Sequence, residues 1–266
     1  MSRAKGRYLR ISMARRLVAD VMHFSLGRPL IPIEREMNLS EVVAARSQLS
    51  NRPGWCAIFV KAYAILSQRK PELRQALIPY PTARFYQHDT CVAAVAIERE
   101  LEGEAAVFAA MLKNPEKRTL REVEAWLREC KEAPLKTIPS FRRALRYFRW
   151  PRLLRRMLFS MVLNWWGSKR AEYFGTFGIS VTAGMGAATL ALLSPLTTTI
   201  HYGRFDEAGN LPLRITFDHH VLDAAVVARA MVELEGILKN EILTELREMN
   251  PSSTSLPFRD STSLAS

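Results

Sequence analysis

The stretch TTTIHYGRFDEAGNLPLRITFDH, residues 197–219, restricts the fold more than any other part of the chain. Runs rich in β-branched and aromatic residues flank the turn-forming DEAGN. The segment reads as a strand, a turn and a returning antiparallel strand. An isolated hairpin is marginal in water, so a larger sheet has to surround it. The returning strand ends in two adjacent histidines, His219 and His220, and a long helix is expected from about Asp223 to Arg247. The chain must therefore turn from sheet to helix where its only histidine pair sits.

Other segments alternate in the same mixed way. LVADVMHF and the residues before it carry apolar positions at helical spacing, Leu9, Met13, Leu17, Val21 and Phe24, and Gly27 and Pro29 stop that helix. LIPIEREMNL alternates like a half-buried strand. Ser40 is expected to cap the helix EVVAARSQL. GWCAIFVKAYAILSQ reads as a largely buried helix and TCVAAVAIE as a buried strand. Two helices are expected after that strand, the second opening with a capping box from Thr119 to Glu122. GTFGISVTA reads as a further strand. Strands and helices so interleaved, with an antiparallel hairpin near the end, give an α/β (α+β) class: a mixed sheet flanked by helices. Residues 1–248 are expected to form one domain, and the Ser-rich residues 249–266 a disordered polar tail.

The 266 residues are 48% hydrophobic and 24% charged, which suits a globular protein with a sizeable core. Cys56, Cys91 and Cys130 are scattered and lack CxxC spacing, so neither a disulfide framework nor a metal site is indicated, and a cytoplasmic location fits. No charged residue lies between Glu172 and Arg204, a span long enough to cross a bilayer. Its Gly, Ser and Thr content and Pro195 favour buried strands with a turn. The formal net charge is +12, which calls for an anionic partner: a membrane surface, a phosphorylated ligand or nucleic acid.

His219 is followed four residues later by Asp223. A histidine held at a strand end beside a helix start is well placed for chemistry. Yet HxxxD is a loose pattern, and Asp223 equally suits a helix N-cap.

The surroundings of the pair narrow the choice. LRITFDHHVLDAAVVARAMVELEGIL resembles the C-terminal signature of the acyltransferase components of 2-oxo-acid dehydrogenase complexes, with Asp218, His219, Val221 and Asp223 in place. His220 stands for the usual Arg and Ala224 for the usual Gly. GTFGIS, with Gly175, Thr176, Phe177, Ile179 and Ser180, is similar to the family's GTFTIS strand; Val181 and Thr182 depart from it. Ser194-Pro195 and the Ala14-Arg15-Arg16-Leu17 run fall in matching order. The resemblance spans roughly residues 7–247 and implies a two-layer fold like that of the chloramphenicol acetyltransferase superfamily. It also implies a CoA thioester as co-substrate, no tightly bound cofactor, and a homotrimer whose active sites lie between subunits. The acceptor of the acyl group is not identified.

In that scheme His219 is the general base, Ser180 donates a hydrogen bond to the oxyanion, and Asp223 steadies the loop, through an ion pair with an arginine such as Arg16. His23, His88 and His201 are expected to be isolated packed or surface residues. The sequence carries no lipoyl-type Asp-Lys-Ala motif. A hydroxyl, amine or thiol acceptor is therefore expected, with the lipoyl group of a separate protein as one alternative. Another is a catalytically silent trimeric scaffold or membrane-binding relative.

Residues 133–171 contain ten Lys or Arg and no acid. Within them, 140–170 interleave arginines with Trp150, Trp165, Trp166 and other apolar residues. The pattern favours docking on an anionic membrane, and so a peripheral location. A channel for CoA phosphates and an acyl chain, or a solvated basic face over a core, also fit; nucleic acid fits least. Pro151 should interrupt any long helix there.

Overall fold

The computed structural model describes Tyr8, residues 10–180, Leu190 and residues 192–250. The expected tail from 251 onward, Leu9, and the departures at Val181 and Thr182 lie outside the described residues.

Six strands form one mixed sheet: β1 (Leu30–Asn38), β4 (Val92–Leu101), β5 (Glu104–Lys113), β6 (Phe177–Ile179), β7 (Thr198–Tyr202) and β8 (Asn210–Asp218), in the order β1-β8-β7-β6-β4-β5. The hairpin read from residues 197–219 is β7–β8, in antiparallel register from Thr198 opposite Phe217 to Tyr202 opposite Leu213. β6 runs parallel to both β7 and β4. The short strands β2 (Gln75–Ile78) and β3 (Arg84–Gln87) pair apart from it.

One expectation is overturned. The first of the two helices placed after TCVAAVAIE is instead strand β5, antiparallel to β4. Glu102 and Gly103 both have positive φ, 55° and 80°, as a two-residue hairpin turn with the right twist requires. Ala, Glu, Leu and Met favour a helix in isolation, but Ala106, Phe108, Ala110 and Leu112 alternate inward and their burial decides the outcome. Ser40 is a second correction. It is the first residue of α2 (Ser40–Ser47), whose N-cap position is Leu39 with no side-chain bond; Ser40 Oγ bonds Asn38 instead. The capping box at Thr119 and Glu122 is present, opening α4 (Leu120–Glu132).

The two faces of the sheet are built differently. Residues alternate between faces along a strand. One face presents Ala93, Val95, Phe177, Ile179, Ile200 and Tyr202 to the buried helix α3 (Trp55–Arg69). There Phe59 stacks on Tyr202 at 4.5 Å and Tyr63 meets Phe177 at 4.8 Å. α8 (Ala224–Ile237) and α9 (Leu243–Glu248), joined by a π-helical turn, add Met231, Leu234 and Leu246 to this core.

On the opposite face lie α1 (Met13–Ser25) and the basic segment, which folds as α5 (Pro139–Phe148), α6 (Arg152–Asn164) and α7 (Gly167–Phe174). Pro151 does separate α5 from α6. α5 runs along edge strand β5 and reaches both faces, with Phe141 5.0 Å from Phe108 on the α3 side and Ala144 and Tyr147 toward the other. α1 and α6 are joined by Asp20, 1% exposed, which accepts from Arg155 Nε at 2.7 Å and Arg156 Nε at 3.1 Å. Arg170 of α7 is buried as well and donates to the carbonyls of Leu77, Leu163 and Pro195. The basic segment is thus partly a structural core, with several charges used internally.

Removing one partner of a buried ion pair strands the other. Asp20→Ala leaves Arg155, with its side chain 4% exposed, uncompensated. We expect a loss of about 3 kcal/mol in urea unfolding; an unchanged midpoint would refute the anchoring role of Asp20. A pH effect follows from His88. Burial, then the nearby Arg170 and Arg74 charges, lower its pKa from 6.5 to about 4, against a smaller opposing pull from Asp89. Unfolded chains take up a proton near 6.5 that the folded chain refuses, so stability is full above that pH and falls as pH drops toward about 4. Thermal melting should show this decline, and His88→Gln should flatten it.

Candidate active site

β8 ends at Asp218, which has no exposed surface. Its carboxylate accepts from Arg28 Nη1 at 2.6 Å and from the backbone N and Nδ1 of His220, both at 3.0 Å. His220 therefore helps hold a buried carboxylate, a role for which the sequence offered no reading. Between these anchored neighbours stands His219, with its side chain 42% exposed and its backbone N donating to Pro29 O at 3.0 Å.

The His219 ring is oriented by a contact within its own turn. Nδ1 lies 3.0 Å from Leu222 O. A carbonyl only accepts, so Nδ1 carries the hydrogen of this bond and Nε2 is the ring nitrogen left outside it. Asp223 Oδ1 is 3.7 Å from the same Nδ1. Asp223 occupies the N-cap position of α8 but its side chain makes no capping bond. The expected Arg16–Asp223 ion pair is absent among the described residues. The arginine that braces this corner is Arg28, and the carboxylate that it meets is Asp218, because Asp218 faces inward from the strand while Asp223 is exposed. Ala224 is the first residue of α8 and exposed, without the positive φ that would call for Gly.

Ser180 follows β6. Its backbone N donates to Ile200 O at 3.2 Å, and its carbonyl accepts from His201 Nδ1 at 3.1 Å. His201, read from the sequence as isolated, is 2% exposed and tied to the backbone of Ser180. Burial lowers its pKa, against an opposing pull from the bond to Ser180. Only the β6–β7 register brings these two residues together.

Ser180 and His219 do not meet within one chain. By register Ser180 lies level with His201 and Arg214, five residues before His219, and two strands away from β8. Strand rise and spacing put the two on the order of 20 Å apart. Ser180 lies instead at an apolar cleft of about 380 Å³ between the sheet and α1, α5, α6 and α7. No group of three or more His, Cys, Asp or Glu is placed to hold a metal ion, and no helix is long and apolar enough to cross a membrane, among the described residues.

No protein-family model and no curated protein matches this sequence. Solved structures do resemble it. Dihydrolipoamide acetyltransferase of Azotobacter vinelandii aligns with a TM-score of 0.66 and 16% identity over 91% of this chain and 94% of that one. For that enzyme the roles of a serine, a histidine and an asparagine four positions after the histidine in the catalytic mechanism have been investigated. The cubic core of a pyruvate dehydrogenase complex gives 0.63 and 16% over 91% and 95%. The truncated catalytic core of the 2-oxoacid dehydrogenase complex of Thermoplasma acidophilum gives 0.61 and 14% over 88% and 99%. The chain has the α/β fold shared by these catalytic cores.

Proposed function

We propose that the protein is a CoA-thioester-dependent acyltransferase acting as a homotrimer, with His219 as general base and Ser180 as oxyanion donor. The observation that carries this reading is the His219 ring: its Nδ1 hydrogen is committed to Leu222 O, so Nε2 is presented as a base at a rigid strand end. The Azotobacter enzyme, whose mechanism has been examined at a histidine and a residue four further on, supports the pairing with Asp223. Nε2 would take the proton of a hydroxyl, amine or thiol as that atom attacks the thioester carbonyl. The Ser180 hydroxyl would hydrogen-bond the tetrahedral oxyanion. Collapse breaks the carbon–sulfur bond, and the departing CoA thiolate recovers the proton from His219.

Because Ser180 and His219 stand far apart in one chain, the working site pairs His219 of one subunit with Ser180 of the next. The cubic core among the structural neighbours is a multisubunit assembly and supports an oligomer here. His219→Ala is expected to lower CoA release from acyl-CoA at least 100-fold with unchanged melting. Mixed and reassembled with Ser180→Ala, it should recover about a quarter of wild-type activity, since one site in four then pairs two intact residues. No recovery in co-assembled trimers would refute the shared site, and wild-type rates in His219→Ala would remove the histidine from the chemistry.

A second reading concerns location. Trp150, Leu153, Leu154 and Met157 point outward beside the exposed Arg149 and Arg152, with Leu153 82% exposed. We propose that this face rests on an anionic membrane surface. The protein should sediment with phosphatidylserine vesicles at physiological salt, and Leu153→Glu with Met157→Glu should release it. Failure of the wild type to sediment would reject this reading.

A further inference from the structure

The cleft at Ser180 is larger than a small acyl group needs. Its floor is the second face of the sheet, where Ala94 and Ala96 of β4, Ala109 of β5 and Gly178 of β6 lie side by side by register. Residues this small leave a gap between the sheet and whatever covers it. The cover is Leu17 and Val21 of α1, Ala144 of α5 and Phe159 of α6. Asp20 locks α1 to α6 and so keeps this roof in place.

The charged and phenolic groups on the wall are engaged with one another. Arg143 Nη2 lies 3.2 Å from Glu172 Oε1, and its guanidinium sits over the Tyr173 ring at 5.0 Å. The Tyr147 and Tyr173 hydroxyls are 3.2 Å apart. A polar ligand would find few unspent partners there, whereas hydrocarbon would meet a matching surface. Size points the same way. An apolar cavity of about 150 Å³ already accommodates benzene, and this cleft measures about 380 Å³. An acetyl group would leave most of it unfilled.

We infer that the cleft holds the aliphatic chain of a medium- or long-chain acyl group, running from its carbonyl at Ser180 beneath α1 and the basic helices. The inference rests on the acyltransferase reading for the identity of the chain's head, though not for the binding of the chain itself. It also gives the basic segment a use: its inner face roofs the chain.

Saturated fatty acids from butyrate to palmitate, competed against anilinonaphthalene sulfonate on the full chain, provide the test. Affinity should rise about fourfold per methylene and then level off. Ala96→Phe, which fills the floor, should make it level off at a shorter chain; Ala105→Phe, on β5 outside the cleft, should not. Absence of binding, as when a second copy covers the cleft, would overturn the inference. So would an unchanged length dependence in folded Ala96→Phe. CoA release from acetyl-, decanoyl- and palmitoyl-CoA separates the two readings. Chain binding without CoA release from any thioester ends the acyltransferase reading and leaves a lipid-binding cleft. Release at equal rates from all three, with no chain binding, ends the cleft inference and leaves the enzyme.

Discussion

A carboxylate without exposed surface must be compensated where it lies, and Asp218 is compensated by Arg28 at 2.6 Å and by His220 at 3.0 Å. That cluster joins the end of β8 to the chain preceding β1. Its effect reaches the neighbouring residue. With Asp218 fixed on one side and Leu222 O accepting from Nδ1 on the other, the orientation of the His219 ring is set by its own chain. The two histidines that sit together in sequence are thus held differently, His220 by Asp218 and His219 by Leu222 O, while both side chains remain nearly half exposed.

The second organising constraint is the asymmetry of the sheet. Phenylalanine, tyrosine and isoleucine fill one face against α3, and a conventional core results. Alanine and glycine on part of the other face cannot fill the space below α1 and the basic helices, so a cleft remains beside Ser180. The charges of the basic segment accordingly serve two environments. Arg155 and Arg170 are buried with designated partners, while Arg149 and Arg152 stay at the surface among exposed apolar side chains. Net charge alone does not distinguish the two groups, since the distinction depends on which helix face each residue occupies.

Legibility varied with the kind of signal. The β7–β8 hairpin, the capping box at Thr119 and the break at Pro151 were readable because each rests on local chemistry. β5 was misread because residues of high helix propensity follow Glu98, and only the alternation from Ala106 to Leu112 betrayed a strand; burial in the sheet outweighed propensity. Ser180, His219 and Asp223 could be picked out as candidates. Arg28 and His201 could not, because a bond across 190 residues and a contact set by strand register leave no trace in spacing. The Arg16–Asp223 pair failed for the same reason: sequence shows which charges exist and not which side of the turn they face.

By itself the sequence determined a mixed α/β chain, a histidine at a strand-to-helix junction with an acid four residues on, and a basic aromatic segment. Each follows from residue type and short-range periodicity. Tertiary structure alone decided that Ser180 and His219 lie at opposite ends of the sheet, that Asp218 rather than Asp223 is the braced carboxylate, and that an apolar cleft opens at Ser180. Those outcomes depend on strand order and register. They come from burying side chains distant in sequence against one another, which no local pattern encodes.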